Sequence, residues 1–179
     1  MTNQVFSWFT FVAPWFTLVF MKREDIKRYM PVALLAAVLT TIIHDIGIGL
    51  GFWVVRDNAY PLYEMLPYFF ALIPVITLWI FKFTNGSLWI YIITNLILDI
   101  GFVFIFLGNL LPARGIYALI GITRPQVLLI NVAHFTLLYI YQKWQEGELL
   151  PVKEKSFSPN LHSAVAKPLL QHNRDKEDN

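Results

Sequence analysis

Six side chains in this sequence can do chemistry in surroundings that otherwise offer little of it: His44, Asp45, Asn95, Asp99, Asn131 and His134. All six stand inside long apolar runs. Asn95 and Asp99 are four residues apart and share a helical face with Tyr91; Asn131 and His134 are three apart and share one with Leu138 and Tyr141. Thr40, Thr41 and Thr94 add hydroxyls close by. A lone ionised carboxylate in hydrocarbon costs about 2.5 kcal/mol or more, so Asp45 and Asp99 must be neutral or paired, and His44 and His134 are the basic partners on offer. Such a polar cluster at the middle of a membrane suits the binding of a proton, an ion or a small polar ligand. It also suits acid/base work by Asp45 and Asp99 on a lipid or isoprenoid substrate. The plainer reading is that these groups hydrogen-bond between helices, at roughly 0.6 to 2 kcal/mol each.

Several other chemistries are excluded or unsupported. There is no cysteine, which removes disulfides, thiolate metal sites and a Cys nucleophile, and serine is absent from the interiors of the second to fifth apolar runs. His44, His134, Asp45 and Asp99 are acceptable ligand types for a two-His carboxylate centre, but no paired-His spacing supports one, and neither metal nor cofactor is expected. The Gly-x-Gly-Asp signature of intramembrane aspartyl proteases is missing, since Asp45 follows His44 and Asp99 follows Leu98. Gly47 and Gly51 form a GxxxG pattern, which predicts a helix-packing face.

The elements that must position these residues follow from composition. Of 179 residues 56% are hydrophobic and 15% charged, and the first 142 carry only fourteen charges, which excludes an ordinary soluble enzyme, a disordered chain and a nucleic-acid binder. A hydrocarbon core about 30 Å thick needs roughly 17 to 25 apolar helical residues. Five runs qualify, at about 5–21, 30–55, 65–81, 87–111 and 125–142. Pro31 is expected to open the second, Pro74 to kink the third, and Asn85-Gly86 to turn into the fourth behind an N-cap at Ser87. On this reading all six polar residues fall in the middle third of their helices.

Basic residues set the orientation. With the N-terminus outside, Lys22, Arg23, Lys27, Arg28, Lys82, Lys143, Lys153 and Lys155 collect on the inner side, against Arg56, Arg114 and Arg124 on the outer. Trp79, Trp89 and Trp144 then mark inner helix ends, and Trp53, Tyr60, Tyr63 and Tyr68 outer ones. The stretch Gly115–Ile122 is too apolar for a free loop and too short to cross, so it should lie in the interface or dip back over the bundle. Residues 146–179 are expected to form a disordered cytoplasmic tail, because balanced charge and three prolines cannot build a core. The segments 40–47 and 94–101 agree at five of eight positions, which hints at a two-helix repeat, although the helices that follow do not align.

A short aromatic first span, a Lys/Arg-rich turn from Lys22 to Arg28 leading into Pro31, and a mid-helix Asp in the second span resemble the small multi-pass membrane proteins of spore-forming Gram-positive bacteria. The resemblance covers residues 1 to about 145. It implies a bacterial plasma membrane and no particular activity.

The expectation is therefore an all-α integral membrane bundle of five transmembrane helices over residues 1–145, with four plus an interfacial helix as the alternative. Its partners are the lipid bilayer and either another membrane protein or further copies of itself, with no nucleic acid. Two functional classes stay open: a non-enzymatic membrane component or small carrier-like protein, and an intramembrane acid/base enzyme. Five helices leave little room for a lipid-sized pocket in a monomer, which favours the first.

Overall fold

The computed structural model describes residues 2–84 and 86–149. The turn residue 85 and most of the expected tail, 150–179, lie outside the described residues.

The chain runs back and forth between two ends. Helix α1 (Asn3–Phe16) starts on a Thr2 cap and closes in a 3-10 turn, Thr17–Phe20. Helix α2 (Arg23–Gly49) follows, then strand β1 (Trp53–Val55). After a 3-10 turn at Pro67–Phe70 comes α3 (Leu72–Thr84). Helix α4 (Leu88–Gly101) continues through a π-helical stretch, Phe102–Leu110, and a last α turn, Leu111–Ala113. Strand β2 (Tyr117–Leu119) leads to α5 (Arg124–Gln145), which opens on a Thr123–Gln126 capping box. Three of these helical segments, Arg23–Gly49, Pro67–Thr84 and Leu88–Ala113, are long and apolar enough to cross a membrane. Large apolar side chains face outward all round, among them Phe16, Val19, Phe20, Ile97 and Leu129, a surface that suits hydrocarbon and not water.

Helix α2 corrects the expected second span at both ends. It begins seven residues before Met30, because Glu24 and Asp25 in its first turn complement the helix dipole and Pro31 is carried inside. At 27 residues it is about 40 Å long, enough to cross the apolar core and carry the basic segment beyond it. It ends at Gly49 and not at Val55. Gly51 sits in the left-handed region at φ 71°, its N–H donating to the Ile48 carbonyl and the Phe52 N–H to that of Gly47, which closes the helix. The same closure, on Gly115 and Gly147, ends α4 and α5. Pro74 causes no kink, because it lies in the first turn of α3 where no N–H is needed.

Released from the helix, Trp53–Val55 pairs antiparallel with Tyr117–Leu119, Val54 standing opposite Ala118. The expectation of a purely helical fold is corrected by this two-stranded ribbon, and the Gly115–Ile122 stretch is the strand that forms it. Gly121 donates to the Gly51 carbonyl, so close that a Cβ there would stand 2.6 Å from the oxygen. The ribbon gathers the loops at one end, where Asn3 and Gln4 tie α1 down through hydrogen bonds to Asp57, Arg114 and Asn58. At the other end stand Lys22 and, in the first turns of α2, Arg23, Lys27 and Arg28, with Lys82 and Lys143. Glu146 receives Arg28 there at 2.6 Å. Glu146, the first residue of the expected tail, is thus held against α2.

Apolar packing forms two clusters. One, nearer the lysines, centres on Tyr29, Ala33, Ala36, Leu78, Phe81, Tyr91 and Phe135. The other lies under the ribbon around Trp53, Tyr68, Phe69, Leu107, Ile116 and Tyr117. Small side chains on α2 bring α3 close: Ala33 and Ala36 are fully buried.

Candidate functional site

Between these two clusters α2, α3, α4 and α5 leave a cavity of about 150 Å³. Asn95 and Asp99 reach it from α4, Asn131 and His134 from α5, Thr40 from α2 and Thr77 from α3. Ile73, Leu98, Phe102 and Phe135 supply apolar wall. The two helical pairs arrive on the faces that their spacing requires.

The polar groups divide into satisfied and available ones. Asn131 Nδ2 donates to Asp99 Oδ1 at 3.1 Å, which ties α5 to α4. Asn95 Nδ2 donates to the Tyr91 carbonyl of its own helix at 2.9 Å, which turns its amide oxygen outward from that bond. The Tyr91 hydroxyl in turn donates to the Phe135 carbonyl at 2.8 Å and fixes α4 against α5 on the lysine side of the cavity. Thr77 donates to the Ile73 carbonyl at 2.9 Å. His134 is different: its Nε2 is shut off from the surface and has no hydrogen-bond partner among the described residues. A buried polar atom without a partner costs about 1 to 3 kcal/mol, so something that binds there gains what the fold leaves unmade.

The structure does not bring His44 and Asp45 into this cavity. Because α2 ends at Gly49, both stand near its ribbon end and not at mid-depth. His44 is buried beneath the ribbon, its Nε2 2.7 Å from the Glu64 carbonyl, its ring stacked 6.1 Å from Trp53 and edge-on to Phe69 at 4.7 Å. Trp53 Nε1 donates to the His44 carbonyl at 3.2 Å. This is a structural clamp. Asp45 points away from the bundle and is exposed. Asp45 and Asp99 therefore do not form an acid/base pair. No group of three or more His, Asp or Glu side chains comes together among the described residues.

Gly47 and Gly51 also have a different use from the expected helix-packing face. A Cβ on Gly47 would lie 1.9 Å from the Trp53 indole, so its missing side chain admits the ribbon and not a second helix. Gly51 lies beyond the helix altogether. Thr77 was missed, although a lone threonine in the apolar run of α3 was a signal available in the sequence.

A small cavity of about 60 Å³ under the ribbon, lined by His44, Trp53, Tyr68 and Tyr117, shares Thr40, Phe102 and Asn131 with the polar one. These three residues form a common wall between the two cavities. Toward the lysine end Tyr91, Phe135 and Leu138 close the polar one. On the far side of Ile76 lies a larger apolar groove of about 710 Å³. Five helices, expected to leave little room for a lipid-sized pocket, thus leave a groove of that size where α1 stands off from the π-helical part of α4. No protein family matches this chain, and neither a curated protein nor a solved structure is similar to it.

Proposed function

We propose that the chain is a five-span protein of a bacterial plasma membrane, ribbon end outside, whose central cavity takes up a proton or a small monovalent cation between Asp99 and His134. The carrying observation is that His134 and the Asp99–Asn131 pair line one cavity, the His134 ring standing against the Ala36 backbone of α2. Five helices of alternating direction and the gathering of basic residues at one end support the topology. The cavity has room for a cation with a few waters and not for a metabolite. In so apolar a place an ionised carboxylate is tolerated only with a counter-charge, so Asp99 holds either a bound proton or a bound cation. The protein then acts as a carrier-like or sensing membrane component. An acid/base enzyme acting through Asp45 and Asp99 is not supported, because among the described residues Asp99 is the one acid that lines the cavity.

Infrared spectroscopy of the purified full chain in lipid tests this. The expected result is a carboxyl band that varies with pH, moves when sodium or potassium replaces choline if a metal cation competes with the proton, and is lost in Asp99→Asn but kept in Asp45→Asn. His134→Gln should change the pH range of the band while the protein stays folded. A carboxyl signal independent of pH, or one unchanged in Asp99→Asn, would overturn the proposal.

A further inference from the structure

The larger groove lies between α1 and the π-helical part of α4, with α3 as its floor. Phe9, Ala13, Val75, Trp79, Phe106 and Leu110 line it. Its few polar atoms are already used: Thr10 donates to the Ser7 carbonyl, Thr17 to the Pro14 carbonyl, and Trp79 Nε1 donates to the Thr17 hydroxyl at 3.0 Å. What remains recognises hydrocarbon and nothing else. From Phe6 to Thr17 the groove follows α1 and the start of the turn that closes it for twelve residues, about 16 Å, close to the hydrocarbon depth of one leaflet. Its mouth at the lysine end carries a cation: Lys82 lies 4.6 Å over the Trp79 ring, with no ion pair among the described residues; just past the turn that closes α1, Lys22 and Arg23 are offset by Glu24 and Asp25. An indole and a lysine at the end of an apolar slot match the boundary between acyl chain and headgroup.

We infer that this groove holds one acyl chain of an anionic phospholipid, its phosphate beside Lys82. The chain fills the gap that α1 leaves against α4, and the lysine selects the charge of the head. The inference rests on a membrane setting and not on the polar cavity.

The full chain, reconstituted in nanodiscs of equal phosphatidylglycerol and phosphatidylcholine and released for native mass spectrometry, should carry one retained phospholipid, mainly phosphatidylglycerol. Ala13→Trp fills the groove and should abolish the adduct. Lys82→Gln should keep it but lower the preference for phosphatidylglycerol about fivefold. Asp99→Asn should leave it unchanged, which separates this site from the cavity. Should Ala13→Trp fail to fold, a phospholipid with a photoreactive acyl chain decides on the parent protein: labelling should concentrate on Phe9, Trp79 and Phe106. Absence of any adduct, an adduct indifferent to a folded Ala13→Trp protein, labelling spread evenly over the helices, or a second protein chain seated in place of lipid would each overturn the inference.

Discussion

Gly47 shows how a single hydrogen can be placed by a distant ring. Any side chain there would drive into the Trp53 indole, so Gly47→Ala should cost roughly 1 to 3 kcal/mol and loosen the ribbon. Gly49, two residues on, has open space around its missing Cβ, and Gly49→Ala should be neutral or stabilise by up to about 1 kcal/mol. Thermal melting in detergent compares the two, and equal effects would refute the assigned role of Trp53. The four cavity residues of α4 and α5 were legible in the sequence because spacings of three and four fix a helical face without knowledge of where the helix ends. His44 and Asp45 lie in the middle third of an apolar run from 30 to 55 but near the end of a helix that runs from Arg23 to Gly49. The partner of His44, a backbone carbonyl twenty residues away, has no signature in side-chain types.

At the scale of the elements, the ribbon and the π-helical stretch were the least legible. Trp53–Val55 reads as the tail of an apolar helix, and only pairing with residues some sixty positions later makes it a strand. A closing glycine at position 51 was a local signal, masked by the competing GxxxG pattern. The π-helical stretch is held from outside: Arg124 donates to the Gly108 carbonyl at 2.8 Å, and a Cβ on Gly108 would stand the same distance from its Nε. The register of the ribbon is directly testable in a chain without cysteine. Val54→Cys combined with Ala118→Cys should form a disulfide readily on mild oxidation, since facing Cα atoms in an antiparallel pair fall within bridging distance. Val54→Cys with Leu119→Cys, shifted by one residue, points the two thiols to opposite faces and should remain reduced.

For the whole molecule, the alternation of apolar runs is sufficient to find the five helices of the described residues, and their ends differ by up to seven residues where charged residues, a 3-10 turn or a strand flank them. Cysteine substitutions at Tyr63 and Ile120 should react with an impermeant thiol reagent on intact cells, and one at Lys27 only after lysis; the reverse pattern would invert the proposed orientation. The ion pair that closes the lysine end gives a pH signature. Burial pushes the Glu146 carboxyl up, but hydrogen bonds from Gln142 and Arg28 and the guanidinium charge outweigh it and hold it below the usual glutamate value. Its stabilisation, at most about 1 kcal/mol for so exposed a partner, is therefore complete above the unfolded value near 4.3 and lost as pH falls through the lower folded value. Glu146→Gln should remove that acid-side loss of melting temperature while leaving behaviour at neutral pH only slightly weaker. The ribbon, finally, sets an order of events during synthesis. β1 emerges with the first hairpin, yet its partner follows only after α3 and α4 have been made, so the strand must wait through the synthesis of two further helices. Throughout that interval its backbone groups are open to pairing with a neighbouring nascent chain, and the arrival of residue 119 ends the exposure.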